Sequence, residues 1–484
     1  MFKEQLLDYQ SEKEYLLIRL LYLENFKLGK NEICTKLNIS YPTLKKTIER
    51  CNDYFQKFFP YDKLQLITDV HEILFEEDPQ IPVDALTKFF FIESDKYILL
   101  DLLYRKPSLS RHSLAEKLNI STTTLNLLIV QCNELLQEFD LCIKNGKVEG
   151  NVFQYFYFYF LFYWETETTP IYELYSLKNE TLINFIEEEY QQKIGIVEQR
   201  KLSLWGILLR EKRKLFTCDN IKKIQDSHIP NVENTELFHT FRNFFHKNWK
   251  ELSSYEVECV AYVTYLFFNS FEILDQKTVD LHSIHINDQR HLLMSKIILL
   301  LQDDYNLDGC YKLVHNSLYY FLGKMLFFKG YIYSIDQLTL DYFLEKYISD
   351  IEKVTVKKII DSGVFHSPEL NFKIHFYYQY GLYSLVYSLR RFRKNKINIA
   401  LLLNTSSFLF ATFLADLEDS LHNNPSIQVT KYIADETYDL VITNLTINKL
   451  LNASYTYMMT NVVNQDEIKR ISSVIEKIVL EKRS

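Results

Sequence analysis

The strongest constraint on this chain is a five-residue phrase that occurs twice. KLNIS stands at residues 36–40 and again at residues 117–121, a shift of 81 residues. The same shift relates further identical residues, which are Thr43-Leu44 and Thr124-Leu125, Ile48 and Ile129, Cys51-Asn52 and Cys132-Asn133, Gln56 and Gln137, and Phe58 and Phe139. A repeat of this length indicates two copies of one supersecondary unit.

Each copy has the pattern of a helix, a tight turn and a second helix. Asn-Ile-Ser forms the predicted turn, after which Ser40 or Tyr41 can cap the second helix of the first copy, and Ser121 or Thr122 that of the second. Apolar residues then follow at i, i+4, i+7 and i+11, which predicts one buried stripe and a free opposite face. The stripes are Leu44, Ile48, Cys51 and Phe55 in the first copy, and Leu125, Ile129, Cys132 and Leu136 in the second.

This is the helix-turn-helix pattern, whose second helix can lie in the major groove of DNA. The same geometry also occurs as plain packing between helices, and the tandem repetition is what favours DNA binding. A wing is expected beside each helix pair. Residues 64–75 alternate loosely and can supply its strands in the first copy, and Asn145-Gly146 is a strong hairpin signal in the second. An acidic link with two prolines, residues 76–82, separates the copies.

The polar residues off the apolar stripes are the candidate DNA contacts. Lysine and arginine suit phosphate and guanine, and hydroxyl groups suit the DNA backbone. The candidates of the first copy are Tyr41, Thr43, Lys45, Lys46 and Arg50. Those of the second copy are Arg111, Thr123, Thr124, Asn126 and, beside the hairpin turn, Lys144 and Lys147.

The second recognition helix differs from the first in its chemistry. No Lys or Arg lies between Leu118 and Ile143, so its threonine, asparagine and glutamine side chains are neutral readers. Leu127 and Val130 also lie off its stripe, which indicates that another domain covers part of this helix. We therefore expect base reading mainly from the first copy.

Overall charge does not favour binding to nucleic acid. The formal net charge is −8, and the first 165 residues hold 19 Lys and Arg against 24 Asp and Glu. Any affinity for DNA must therefore come from local basic patches rather than from the field of the whole protein.

Composition predicts a mainly helical, multidomain protein of the reducing cytoplasm. The 10 Gly and 9 Pro are few for 484 residues, so turns and special backbone positions are scarce. The seven Cys residues form no CxxC pair, and the N-terminus is too charged for a signal peptide. The aromatic stretch at residues 153–164 is shorter than the ~20 residues of a membrane-spanning helix, so we expect a buried connecting helix and no membrane contact.

The remainder of the chain divides by periodicity. Residues 166–394 form two helical stretches of similar size, with helices predicted at 181–190, 202–214, 255–268, 291–301, 313–328, 338–348 and 374–390. A basic run at residues 390–396 marks a boundary and reads as a linker or solvated face, with a phosphate contact as the alternative. Beyond it, strands at 397–403, 427–433 and 438–443 and helices at 408–422 and 465–481 indicate a small α/β domain with a parallel sheet.

Two winged helix-turn-helix domains, two all-α domains and an α/β domain, in this order, resemble the Mga/AtxA family of virulence and global transcriptional regulators of Gram-positive bacteria. The resemblance implies five domains in a mainly α fold. These are an N-terminal winged helix-turn-helix at 1–82, a second, Mga-type one at 83–165, phosphotransferase-system (PTS) regulation-like domains at 166–280 and 281–394, and an enzyme IIB-like domain at 395–484. It further implies binding to double-stranded promoter DNA, assembly into a homodimer or higher oligomer through the C-terminal parts, and no cofactor.

The resemblance also implies sites for phosphorylation by PTS phosphocarrier proteins. A regulation-domain helix carries a His about two turns before an Arg. Residues 202–210 have the Arg without a His, whereas His315 precedes Lys324 at the place of the Arg, and His375 is a second candidate. The enzyme IIB-like domain lacks the Cys nucleophile and the Gly of its phosphate loop, since that loop reads Asn404-Thr405-Ser406-Ser407. We therefore expect a structural and dimerisation module there.

Other chemistry is not expected. His282, His285 and His291 are loosely metal-like, but no Cys or carboxylate completes a set at zinc spacing. The chain has no GxGxxG, P-loop, GxSxG or HExxH string, so we predict no enzyme activity. The alternative to a DNA-binding regulator is a PTS-linked interaction sensor whose winged helices bind protein, which the acidic N-terminal half favours. An RNA antiterminator shares regulation domains but needs a small β-rich RNA-binding module that the helical N-terminus does not supply.

Overall fold

The structure of the protein is a computed structural model, which describes residues 1–61, 63–78, 81–167, 180–216, 232–274, 289–333, 335–365, 376–393, 397–421, 427–445, 451–459 and 465–481. Contacts divide the chain into two compact units. The N-terminal unit comprises Met1–Ile286 and Gly323–Tyr342, and the C-terminal unit comprises Asn287–Leu322 and Phe343–Ser484. Helices dominate both units and the sheets are small, so the predicted mainly α, multidomain fold is confirmed.

The described residues form nineteen α-helices. In chain order they are α1 (Tyr9–Leu23), α2 (Lys30–Lys36), α3 (Tyr41–Phe58), α4 (Val83–Glu93), α5 (Asp95–Arg105), α6 (Arg111–Leu118), α7 (Thr122–Leu136), α8 (Val152–Thr166), α9 (Glu180–Tyr190), α10 (Ile196–Glu211), α11 (Glu236–Asn248), α12 (Ser254–Phe268), α13 (Gln289–Asp304), α14 (Tyr311–Phe327), α15 (Gln337–Lys346), α16 (Asp350–Asp361), α17 (Phe376–Ser388), α18 (Ser407–Ser420) and α19 (Gln465–Glu481).

The first copy of the repeat folds as a winged helix from α1, α2 and α3. Its strands β1 (Lys27–Gly29), β2 (Gln65–Thr68) and β3 (Glu72–Glu76) form an antiparallel sheet in the order β1-β3-β2. Ile73 and Phe75 alternate with exposed residues along β3 and are buried, which seats the sheet on the helices. The wing predicted from residues 64–75 is thus confirmed.

The second copy consists of α5, α6 and α7 followed by a hairpin of β4 (Leu141–Lys144) and β5 (Lys147–Gly150). Asn145 and Gly146 connect the strands with φ angles of 49° and 70°. Two successive residues in the left-handed region are what a type I′ hairpin turn requires, and Asn-Gly supplies them at little steric cost. The predicted hairpin is confirmed.

Helix α8 connects the second copy to the helices that follow it. All residues from Val152 to Tyr163 are buried, as predicted for a connecting helix. Its Phe162 ring stacks on Tyr97 of α5 at 4.7 Å, and its Phe160 ring meets Trp205 of α10 edge-on at 5.9 Å. The helix therefore belongs to two cores at once. Within the described ranges, no helix is long and apolar enough to span a bilayer.

Periodicity predicted most of the helices between residues 180 and 390. Helices α9, α10, α12, α13, α14, α15 and α17 lie at the predicted places, with ends shifted by a few residues. Two further helices, α11 and α16, were not predicted. A signal for α16 was present, because Ser349 and Glu352 form a capping box at its start.

The interpretation of residues 390–396 as a linker or solvated face is wrong for two of its arginines. Arg390 and Arg393 are 8% and 6% exposed, and both bind the carboxylate of Glu352, which is fully buried. Arg390 holds it with two bonds of 3.0 Å, from Nε and from Nη2. Arg390 and Arg393 thus fasten the end of the helical part of the C-terminal unit to α16, which carries Glu352.

The end of the chain is a small α/β domain, as predicted. Strands β6 (Ile397–Leu402), β7 (Ile427–Lys431), β8 (Tyr438–Thr443) and β9 (Ala453–Met458) form a parallel sheet in the order β7-β6-β8-β9. Apolar residues of α18 and α19 share one core cluster with the sheet. Strand β9 was missed because it lies at the sheet edge and is largely exposed, so it lacks the apolar run of a central strand.

Candidate nucleic-acid interface

The two recognition helices, α3 and α7, begin with the same cap. Ser40 Oγ accepts a hydrogen bond from the Thr43 backbone N–H at 3.3 Å, and Ser121 Oγ accepts one from the Thr124 N–H at 3.0 Å. In each pair the two hydroxyl oxygens also lie 2.8 Å apart. A serine cap satisfies a backbone donor that the helix itself cannot, and so fixes where the helix begins. The hydroxyl groups of Thr43 and Thr124, both candidate DNA contacts, therefore already belong to these caps.

The predicted stripe of α3 is buried and its opposite face is exposed. Leu44, Ile48, Cys51 and Phe55 are at most 6% exposed. Burial raises the pKa of the Cys51 thiol, so this side chain stays neutral and acts as a small apolar group. The stripe holds α3 against the rest of the first copy and leaves its outer face available.

Lys45 and Lys46 carry the unpaired positive charge of that outer face. Both are exposed, and neither lies within ion-pair distance of a carboxylate among the residues that the structure describes. Three other lysines of this copy are engaged, namely Lys27 with Glu72, Lys36 with Glu24 and Lys57 with Glu93. Positive charge without a local counter-charge is therefore concentrated in the first turns of α3, although the copy as a whole is acidic.

Arg50 is partly committed to the fold. Its Nε donates to the carboxylate of Glu14 on α1, and Glu14 is 4% exposed whereas Arg50 is 46% exposed. Burial raises the pKa of Glu14, and the Arg50 guanidinium opposes that rise. Arg50 thus ties α3 to α1 while part of its side chain faces solvent.

A groove lies between α3 and the wing of the first copy. Its lining consists of Lys30, Tyr41, Leu44, Lys45, Ile48, Glu49 and Thr68. Lys30 Nζ lies 5.7 Å from the centre of the Tyr41 ring and donates to the Val70 carbonyl in the wing turn at 3.3 Å. Sequence reasoning missed Lys30, because it stands at the start of α2 and meets Tyr41 and the wing only in three dimensions.

The repeated asparagine was also missed as a functional residue. Asn52 holds the first wing strand with two bonds, since its Oδ1 accepts from the Leu66 N–H at 2.8 Å and its Nδ2 donates to the Leu66 carbonyl at 3.0 Å. Its counterpart Asn133 accepts from the Ile143 N–H at 2.6 Å. Each recognition helix is therefore fastened to its own wing by the same residue of the repeat. The identity of this residue at a shift of 81 was the available signal.

The second recognition helix buries a slightly different stripe from the one predicted. Leu125, Cys132 and Leu136 are buried, but Leu128 takes the place expected of Ile129, which is only half-buried. A 3.6-residue helix allows either spacing, i+3 or i+4, and packing against the neighbouring helices decides. Burial raises the pKa of the Cys132 thiol to about 12, so it too is neutral.

The outer face of α7 is exposed and neutral. Thr123 and Asn126 are exposed, and so are Leu127 and Val130, at 63% and 54%. The prediction that another domain covers Leu127 and Val130 is wrong for the described part of the chain. Arg111 at the start of α6 donates to Asn126 Oδ1 at 3.4 Å, which brings one cation to this face.

The hairpin of the second copy carries two lysines side by side. Lys144 and Lys147 are directly opposite each other across the turn, and both are exposed. Lys147 Nζ lies 3.4 Å from the carboxylate of Glu149. Lys144 has no carboxylate within ion-pair distance among the described residues. Like charges facing each other across a hairpin are unfavourable, so an anion near the turn relieves their repulsion.

The predicted phosphorylation and metal sites lie elsewhere in the chain. His315 is half-buried on α14, with its ring centre 5.6 Å from that of Tyr311 and 6.4 Å from that of His291. His375, His282 and His285 lie outside the described residues. Within the described ranges, no group of three or more His, Cys, Asp and Glu could hold a metal ion.

The loop after β6, for which the resemblance implied a phosphate loop, is closed by amides. Asn404 N–H donates to Asn444 Oδ1 at 2.8 Å, and Asn444 Nδ2 donates back to the Asn404 carbonyl at 3.3 Å. This bridge joins the carboxyl ends of β6 and β8 beside a small pocket lined by Leu403, Asn404, Thr405, Leu409, Phe413, Asn444 and Met459. No described residue of that lining is charged.

Comparison with known proteins bears on the second copy. Residues 79–163 match the family model of the Mga helix-turn-helix domain. No curated protein matches the chain. The matched range contains α4, the whole of the second copy with its hairpin, and most of α8. The chain therefore carries an Mga helix-turn-helix domain, and this domain supports its recognition as a member of the Mga/AtxA family of DNA-binding transcriptional regulators.

Proposed function

We propose that the protein is a cytoplasmic transcriptional regulator of the Mga/AtxA type that binds double-stranded DNA through both winged copies. The observation that carries the proposal is the exposed outer face of α3 and of α7, each beside a wing, with the second in the matched Mga domain. An exposed helix face flanked by a wing is the arrangement that enters a major groove.

The two copies make different contacts with DNA, because their exposed helix faces differ in charge. In the first, Lys45, Lys46 and part of Arg50 contact phosphates or guanine, with Tyr41 and Thr43 at the helix start. In the second, Thr123, Thr124 and Asn126 face the bases, and Arg111, Lys144 and Lys147 contact the DNA backbone. Most of the salt-dependent affinity therefore comes from the first copy and its groove.

We further propose that PTS phosphocarrier proteins and self-association tune this activity. His315 is the leading phosphoacceptor and His375 the second. A phosphoryl group adds nearly two negative charges and can shift the packing of a helix. The five-domain division given above, with regulation-like domains at 166–280 and 281–394, is part of this proposal. We assign a structural and dimerisation role to the domain at 395–484. Its loop has no Cys nucleophile, and a hydroxyl group without an activating base accepts a phosphoryl group poorly.

A mobility-shift titration over a range of salt concentrations tests DNA binding. The probe is a duplex selected by the purified full chain from a random-sequence pool that covers at least two helical turns, ~21 base pairs. The double variant Lys45→Ala/Lys46→Ala removes two unpaired cations, so the negative slope of log K against log salt should become less steep by about 1.8. The matched control is Lys57→Ala, which removes an exposed lysine at the other end of α3 that is paired with Glu93. Absence of any salt-dependent shift, or equal slopes in wild type and double variant, would refute the proposal.

A PTS-linked sensor that binds protein through its winged copies is the second candidate, and the exposure of Leu127 and Val130 favours it. Two neighbouring apolar side chains on an outer helix face suit a protein partner. In that case the wild-type chain retains a purified phosphocarrier protein on a column, Leu127→Glu does not, and neither shifts a duplex.

A further inference from the structure

We propose that residues 329–333 and 335–339, which we call the strap, set the position of the two winged copies relative to each other. The strap follows α14 and is distant in sequence from both copies, yet it lies in the N-terminal unit with them. Its residues act through their contacts with the two copies rather than by touching DNA, so they are positioning residues. The consequence for DNA spacing rests on the proposed function, whereas the geometric claim does not.

The chain between the copies, residues 77–94, contains α4 and ends in a hinge. α4 ends at Glu93, α5 begins at Asp95, and Ser94 between them is extended, with φ −74° and ψ 131°. A single extended residue leaves two soft dihedrals, so it does not by itself fix the angle between two helices. The hydroxyl of Ser94 donates to the Leu6 carbonyl at 2.6 Å, but this bond is at the hinge itself. A tie away from the hinge is needed to hold the angle. The Met1 ammonium contributes to such a tie, since it donates to Glu138 Oε2 and to the Tyr331 carbonyl of the strap, each at 2.6 Å.

One end of the strap is fastened to the second copy and to α8. The Tyr331 N–H donates to Glu138 Oε1 at 3.1 Å, just after α7. The Tyr157 hydroxyl donates to the Gly330 carbonyl at 3.1 Å. Gly330 has φ +75°, and a Cβ atom there would lie 2.9 Å from the Glu138 carbonyl oxygen and 2.8 Å from the Phe139 ring. Glycine thus allows both the turn and the close approach.

The other end of the strap is fastened to the first copy. Arg19 on α1 donates from Nε to Asp336 Oδ2 at 2.8 Å, and Asp336 is fully buried while Arg19 is 11% exposed. The Gln337 N–H donates to Glu4 Oε1 at 3.0 Å, just before α1. The bond between Arg19 and Asp336 is buried and charge-assisted, and such bonds are short and directional.

These attachments, together with the hinge at Ser94, close a loop of contacts through both copies. A hinge with one covalent link can rotate, but the same hinge with a tie between the two arms cannot rotate without breaking that tie. The strap therefore holds the angle between α3 and α7. If both helices read one duplex, this angle fixes the distance between their contacts along it.

Two variants release the strap at opposite ends. Gly330→Ala places a methyl group against Glu138 and Phe139, and its matched control is Gly363→Ala, where φ is +72° and nothing lies within 4 Å of the added Cβ. Arg19→Gln/Asp336→Asn removes both charges of the buried pair, so neither is left unpaired. Its control is Arg242→Gln, which breaks an exposed pair with Glu258.

The angle is measured by double electron–electron resonance on the full chain. Cys34 in α2 and Cys142 in β4 are partly exposed, one in each copy, so they accept nitroxide labels in a Cys218→Ser background. Wild type and both controls should give one narrow distance, and both strap variants a shifted or broadened distribution. Circular dichroism confirms folding. Because the variants act at different ends, one folded variant suffices, and a wild-type distribution in that variant overturns the proposal.

A series of duplexes with different spacing between the two contacted halves measures the consequence for DNA binding. About five base pairs inserted between the two footprinted halves of the selected duplex rotate them by about half a turn. Wild type should lose at least tenfold in affinity, and the strap variants less than threefold. Equal losses overturn the assignment of spacing to the strap. A wild-type chain that binds no duplex refutes the proposed function, and the resonance distances still decide the strap.

Discussion

Replacement of Glu352 by glutamine should strongly destabilise the C-terminal unit. The carboxylate is fully buried and accepts bonds from Arg390 and Arg393, which are themselves almost buried. Glutamine keeps the shape and can still take part in the capping box with Ser349, so the substitution isolates the charge. Two guanidinium groups are then left without their counter-charge, and breaking a buried pair in this way costs about 3–5 kcal/mol.

The dependence of this loss on pH is a second, independent signature. Burial alone raises the pKa of Glu352, but the hydrogen bonds and charges of Arg390 and Arg393 outweigh burial and lower it below its ordinary value. A carboxyl group with a lowered pKa stabilises the folded state above its unfolded pKa, and this stabilisation is lost as pH falls through its folded pKa. The difference between wild type and Glu352→Gln should therefore be largest near neutral pH and shrink in acid.

Urea unfolding of the full chain, followed by fluorescence and circular dichroism between neutral and acidic pH, measures this difference. The matched control is Asp350→Asn on the same helix, whose exposed partner is Lys353 at 3.1 Å. Exposed pairs of this kind contribute ~0–1 kcal/mol, so the control should unfold like wild type. A loss below ~1 kcal/mol for Glu352→Gln at neutral pH, or a loss that stays the same in acid, would refute the reasoning.

Three further predictions concern the N-terminal unit. Asn52→Ala leaves the N–H and carbonyl of Leu66 without their partner, so it should cost about 1–3 kcal/mol and speed amide exchange in the first wing. Gly146 has a left-handed backbone conformation, and a Cβ atom added there would lie 2.0 Å from the Leu109 carbonyl oxygen, so Gly146→Ala should lower the free energy of unfolding by at least ~2 kcal/mol. Burial raises the pKa of Glu4 to about 7, so wild type should lose about 3 kcal/mol of stability as pH rises from below 4.5 through 7, and Glu4→Gln should lack this part of the pH dependence.

Each of these predictions has a comparison that can contradict it. Gln56→Ala removes an exposed amide from the same helix as Asn52, and equal exchange rates in the two variants would dismiss the wing bond. Gly363→Ala has the same backbone strain as Gly146→Ala, but nothing lies within 4 Å of its added Cβ atom. Equal losses of stability in the two variants would mean that the positive φ, and not the contact with Leu109, causes the effect. For Glu4, unchanged pH dependence in Glu4→Gln would show that other groups titrate in that range.

The local features of the interface could be predicted from the sequence because they depend on neighbouring residues. The Ser40 and Ser121 caps, the Asn145-Gly146 turn and the stripe of α3 all follow from short-range chemistry. The burial of Leu128 instead of Ile129 was not predictable. Both residues lie near the inner face of α7, and only packing against the neighbouring helices decides which one is buried.

Features that depend on partners far along the chain could not be predicted. Arg390 and Arg393 look like a solvated run until Glu352 is placed beside them. Lys30 meets Tyr41 and the wing only after folding, and the strap meets Arg19 from more than 300 residues away. No periodicity or spacing in the sequence records such pairings. The lysines of α3 and of the hairpin were found at once, but which of them lack a carboxylate partner emerged only from the fold.

The burial of α8 limits how this protein can be switched. Its aromatic rings are shared between the second winged copy and the helices after it, so neither side can be pulled away without exposing both. A bound effector or a phosphoryl group typically supplies ~1–3 kcal/mol of coupling, far less than the cost of exposing a row of buried aromatic rings. We therefore expect any regulation to leave the packing around α8 intact and to act by small rotations of the helices on either side of it.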